Sequence, residues 1–195
     1  MARVVGWIVC KPVAGDNFRS MSHPTDLPAH KLTPLPPPDC HYLNAAQGWI
    51  ELNDSEAAER ELEKINPGAR QHPLCLLVRW ELHANARCWE AAYGVAEYLV
   101  RHCPDEPIGW LQRSYALHAM GRTVEAFQQL LPAAPKFTQV ATVTYHLACY
   151  ACTLGYIEEA WHWLDKAIAT GEGDMIKSMA LEDPILRPLW QHLEG

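Results

Sequence analysis

ATVTYHLACYACTLGYIEEAWHWLDKAIATGEGD, residues 141–174, sets the frame for the whole chain. Apolar residues recur at helical spacing over Thr142–Leu154 and again over Ile157–Thr170, and Gly155 separates the two runs. That pattern predicts two helices joined by a tight turn. Ala148 sits in the first run and Ala160 in the second. Moving back from Ala160 in steps of 34 meets Ala126, Ala92 and Ala58. The same step back from Ala148 meets Ser114, Trp80 and Ala46. A fixed period in this range is the mark of stacked structural repeats, each burying its apolar face on its neighbour. Small side chains at fixed places let helix backbones approach closely, so these positions are assigned to packing.

The same ruler divides the chain into units 39–72, 73–106, 107–140 and 141–174. Predicted helices are Tyr42–Leu52 and Ala57–Ile65, Leu74–Ala86 and Trp89–His102, and Ile108–Met120 and Thr123–Leu131. The final pair is the one quoted above. Leu62, Leu130 and Leu164 fill one repeated apolar place, and Ile65 and Leu99 fill the next. Two irregularities stand out. Trp80 replaces a small residue, which predicts a local spreading of helices with the indole filling it. Pro132 lacks an N–H and crowds the preceding turn, so its helix should end or kink near Leu131. After the last unit, residues 175–195 read as a capping segment. Met175–Leu181 comes first, and Asp183-Pro184 then starts a last helix to about Leu193, with Asp as N-cap and Pro at the first helical position. Leu186, Leu189 and Trp190 supply its apolar side; an intermolecular pairing through Trp190 is the alternative.

Residues 1–38 differ in kind. Pro12, Pro24, Pro28, Pro34, Pro36, Pro37 and Pro38 fall there, which precludes a continuous helix and favours extended backbone. A proline-rich irregular arm is expected over 1–38; a chain start at Met21 is the alternative. Net charge is −7, from 16 Lys and Arg against 23 Asp and Glu. That balance argues against a phosphate-backbone partner, so neither nucleic acid nor an anionic membrane is expected. Seven cysteines (Cys10, Cys40, Cys75, Cys88, Cys103, Cys149 and Cys152) are an odd, scattered set that reads as reduced thiols. The apolar run Val4–Cys10 is too short for a signal-peptide core or a membrane span. The expected location is cytoplasmic.

In spacing, small positions and turn glycines, residues 39–174 resemble the tetratricopeptide repeat family. Tyr145-His146-Leu147-Ala148-Cys149-Tyr150 and the ending Ala180–Trp190 are similar to small bacterial stand-alone proteins of that family. The resemblance implies an all-α fold, a right-handed superhelix of four helix pairs plus a C-terminal capping helix. The first helices would line a concave groove. Carried onto this sequence, the inward places are Leu43, Gln47, Ile50 and Glu51 in unit one and Leu77, Glu81, Ala84 and Asn85 in unit two. Unit three gives Leu111, Tyr115, His118 and Ala119, and unit four gives Tyr145, Cys149, Cys152 and Thr153. None is Lys or Arg, so the basic clamp with which chaperone-binding members hold a carboxylate tail is absent. The groove suits an apolar extended peptide or an amphipathic helix. Leu77, Glu81, Leu111, Tyr115, His118, Tyr145 and Cys149 are the expected partner-binding residues. The proline-rich arm is a candidate internal occupant of the same groove.

Chemistry-bearing motifs are sparse. Cys149-x-x-Cys152, with His146 and His118, could form a soft-metal or redox site. No second ligand pair exists, however, and both thiols fall mid-helix rather than at a helix N-terminus. The ten histidines belong to no catalytic signature. Glu158, Glu159, Glu61 and Glu63 read as solvated outer faces. Arg79 and Arg113 should pack their stems and turn their heads to carboxylates or helix C-termini. The sequence therefore predicts a non-catalytic adaptor or chaperone-like binding module, with no cofactor and no metal. The rival is a metal- or redox-responsive protein using Cys149 and Cys152.

Overall fold

A computed structural model describes residues 33–170 and 173–193. Every regular element among them is helical. The residues fall into two compact units, one running Lys31–Met120 and the other carrying Gly121–Gly195. The alternative start at Met21, Cys10, and the arm before residue 33 lie outside the described residues.

In the first unit, α1 (Asp39–Glu51) packs on α2 (Ser55–Lys64), and α3 (Pro73–Asn85) packs on α4 (Trp89–His102). Helix α5 (Pro107–Ala119) then lies against α4. The Asp39 carboxylate accepts the Asn66 N–H at 3.0 Å, tying the start of α1 to the end of α2. Asp54 caps α2 by accepting the Ala57 N–H at 2.9 Å. Of the expected arm, the last residues are described, and Leu35 enters the core formed by Leu43, Ala46, Ile50, Leu62, Ile65 and Val78.

In the second unit, α6 (Thr123–Leu130) passes into a 3-10 turn at Leu131–Ala133. Pro132 thus ends the helix where its missing N–H predicts. Helix α7 (Ala141–Thr153) packs on α8 (Ile157–Ile168), followed by α9 (Gly173–Glu182). Next comes a 3-10 stretch, Pro184–Leu189, and a short α10 (Trp190–Leu193). The single closing helix expected from Asp183 is therefore split. Pro188 lies inside it and cannot donate an α-helical hydrogen bond.

The packing positions are buried as the period requires. Ala58, Ala92, Ala126 and Ala160 are fully inaccessible, and so are Ala46, Ser114 and Ala148. Trp80 is buried at the odd place. The first helices also end alike. Asn53, Arg87, Gly121 and Gly155 take positive φ values of 58°, 56°, 77° and 81°. These four residues are again 34 apart in sequence. At three of these ends the hydrogen bonds are those of a Schellman cap: Asp54 N–H to Trp49 C=O, Cys88 N–H to His83 C=O and Tyr156 N–H to Ala151 C=O, at 2.9, 2.8 and 2.9 Å.

Candidate partner-binding face

The residues assigned to the inner face divide between the two units. Leu77, Glu81, Leu111, Tyr115 and His118 belong to the first; Tyr145 and Cys149 belong to the second. Each group has its own surroundings.

Within the first unit, Tyr115 of α5 is held edge-on between two indoles. Its ring centroid is 6.0 Å from Trp80 of α3 and 5.7 Å from Trp89 of α4. Such T-shaped contacts favour the quadrupoles of both rings and fix the tyrosine in place. Leu111 and Tyr115 are buried, so they form the floor of the face and expose little contact surface. Leu77 and His118 are half-buried, as are Gln47 and Ala84, while Glu51 and Asn85 are exposed. Leu77 also lines a small apolar notch with Pro73, Leu99, Cys103, Ile108 and Gly109, where α5 meets α3 and α4. Burial lowers the pKa of His118, so the ring favours its neutral form.

Among the described residues of this unit, Trp80 Nε1 and Gln112 Oε1 are buried without a hydrogen-bond partner, and Glu81 adds a carboxylate in the same condition. Glu81 is 8% exposed, and its Oε1 meets no hydrogen-bond partner among the described residues. Burial first, and then the charge of Glu51, pushes its pKa up to about 8. Arg113 of α5 shows the opposite arrangement. Its guanidinium pairs with Glu97 of α4 at 3.0 Å and lies over the Trp110 ring at 5.0 Å. The expectation that its head seeks a carboxylate is met there.

Within the second unit, the α7 face is covered by the chain itself. Asp183, 2% exposed, accepts the Tyr145 hydroxyl at 3.1 Å and faces the Cys149 sulfur at 3.7 Å through the same Oδ2. Its Oδ1 takes the Ile185 N–H at 2.9 Å, the N-cap predicted from Asp183-Pro184. Leu186 and Leu189 are fully buried. The Trp190 indole donates to the Ala180 carbonyl at 2.9 Å, so this side chain is engaged inside its own chain. This differs from an open inner face: Tyr145 and Cys149 are 3% and 2% exposed. The second role of Asp183 is not legible in the sequence, because an N-cap signature carries no information about what else the carboxylate meets.

The Cys149/Cys152 pair has little of what reactive chemistry needs. Burial first, and then the nearby Asp183, raises the Cys152 pKa, which disfavours the thiolate that would bind metal or attack a disulfide. His146 Nδ1 lies 3.4 Å from the Tyr150 hydroxyl. Among the described residues, no group of three or more His, Cys, Asp or Glu side chains is arranged to hold a metal ion. No helix among them is long and apolar enough to cross a membrane.

Scanned against protein-family models the chain matches none, and a search of curated proteins returns no significant match.

Proposed function

We propose that this chain is a non-catalytic, cytoplasmic protein-interaction module of the tetratricopeptide type. It would form a right-handed superhelix of four helix pairs completed by the C-terminal segment, and act as an adaptor or chaperone-like binder. The observation that carries the reading is the recurrence of the left-handed cap. Asn53, Arg87, Gly121 and Gly155 repeat the sequence period in the backbone itself, although their side chains differ. A repeat that persists in geometry where residue identity drifts is what a stacked architecture demands, because each unit must deliver the chain to the next at the same angle.

In such a stack the first helices offer the binding surface. Of the places assigned to the inner face on α1, α3 and α5, those that still reach solvent are Gln47, Glu51, Leu77, Ala84, Asn85 and His118. They are mixed apolar and neutral polar, with one carboxylate and no Lys or Arg. An apolar extended peptide or an amphipathic helix fits them; a carboxylate tail does not. Tyr145 and Cys149, covered by Asp183, have no direct part in this reading.

The test is affinity capture from the protein's own cells with wild type and with Leu77→Asp/Ala84→Asp. Both positions are half-buried, so the charges land on the proposed surface and not in the fully buried core. Wild type should capture a defined partner that the double variant loses while keeping its helical circular dichroism. The same capture by both proteins would move the interface off this face.

A further inference from the structure

The Glu81 carboxyl makes the proposed binding surface more specific, and its role here rests on that surface being the one used. In α3, Glu81 stands four residues after Leu77 and four before Asn85, so the three share one helical face. Leu77 is half-buried and Asn85 exposed, which sets Glu81 at the bottom of that face and not in the central core. Glu51, exposed at the end of α1, is near enough for its charge to act on Glu81. A buried acceptor without a partner is costly in a folded protein, and native structures seldom keep one without a use for it. A hydroxyl or amide from a ligand would satisfy Oε1 but leave the charge of Glu51 and the latent charge of Glu81 unmet. A cation answers both, through a charge-assisted hydrogen bond in a site already largely shielded from water.

We infer that the α1/α3 face takes a peptide carrying one Lys or Arg between apolar residues, with the cationic head against Glu81 and Glu51 and the apolar neighbours against Leu77 and Ala84. The partner is thus a separate polypeptide of basic-apolar character. The charge balance of the chain agrees, since a body of net charge −7 attracts such a segment.

Random dodecapeptides displayed on phage, selected against the full chain, provide the test. Selected peptides should share a single Lys or Arg flanked by apolar residues. The synthetic consensus peptide should bind Glu81→Gln and Glu51→Gln about tenfold or more weakly, with the circular dichroism of both variants unchanged. Norleucine in place of the basic residue should weaken binding to wild type equally and make no further difference on Glu81→Gln. Apolar consensus peptides without a basic residue, or equal affinity for wild type and Glu81→Gln, would overturn the cation site while leaving the groove. Peptides that reproduce a segment of this chain would make the occupant the chain itself, and overturn the separate partner. A selection that enriches nothing would remove the groove reading as well.

Discussion

Glu81 carries a penalty that depends on pH. Its carboxyl belongs to a face shielded by the surrounding helices, where the charged form is poorly solvated, and Glu51 opposes ionisation further. The pKa therefore rises from 4.5 to about 8 on folding. Between these values the folded chain holds a proton that the unfolded chain has released, so stability falls as pH rises through the window and levels off above it. The slope from this one group is at most about 1.4 kcal/mol per pH unit. Urea midpoints measured across the window should show that decline in wild type and a flatter profile in Glu81→Gln, which should be the more stable protein at the alkaline end. Identical profiles would mean that Glu81 ionises freely in the fold. Weaker binding in a more stable variant would mark Glu81 as a residue kept for recognition at a cost in stability. Spacing to Leu77 and Asn85 is enough to put Glu81 on their helical face from sequence. That one carboxylate oxygen lacks a partner among the described residues is not legible there, because it depends on which donors three-dimensional packing leaves within reach.

At the scale of the element, the left-handed caps are unequal. Gly155 adopts its positive φ without a Cβ penalty, whereas Arg87 holds nearly the same cap with a full side chain. A Cβ built on Gly155 meets no atom within 4 Å, so any loss on substitution there is backbone strain alone. Gly155→Ala should therefore cost about 1 kcal/mol, and Arg87→Gly should gain up to about 1 kcal/mol, less the extra freedom glycine has when unfolded. Denaturant midpoints of the two variants check both signs; a stabilising Gly155→Ala would refute the cap assignment. The helices themselves are readable in the sequence to within a few residues at each end, because period, turn glycines and Asp caps all act locally. Asn53 carries only a weak signal for a left-handed cap and Arg87 carries none, since glycine, and less strongly asparagine, announce that conformation. The closing segment is partly readable: Asp183-Pro184 marks a start, but Pro188 imposes 3-10 geometry on a stretch whose start signal predicts one helix. Spacing alone puts Tyr145 and Cys149 on one helical face. That they are covered depends on Asp183, 38 and 34 residues further along, and no local pattern carries a contact of that range.

For the whole molecule, the question is whether residues 183–193 are an integral wall of the second unit or a detachable strap. Three kinds of contact argue for a wall. Asp183 joins Tyr145, Cys149 and the Ile185 N–H through one buried carboxylate; Leu186 and Leu189 are fully inaccessible; and His192 stacks on Trp161 of α8 at 5.0 Å. Burying two leucines contributes about 3–6 kcal/mol by transfer alone, and each hydrogen bond to the carboxylate adds about 1.5–3 kcal/mol before the ordering entropy of the segment is subtracted. These contacts are spread along the segment from Asp183 to His192, which fits permanent attachment. Deleting 183–195 should uncover the apolar face of α7, bind a hydrophobic dye and abolish amide-exchange protection in α7 to α9. The helices between Asp39 and Met120 form their own compact unit and should keep more of their protection. Asp183→Ala removes the acceptor shared by Tyr145, Cys149 and Ile185 while leaving the leucines in place, so it should weaken the same helices to a smaller extent. If the deletion leaves exchange in α7 unchanged, the segment contributes nothing to that unit. If Asp183→Ala is as damaging as the deletion, the carboxylate rather than the leucines holds the wall.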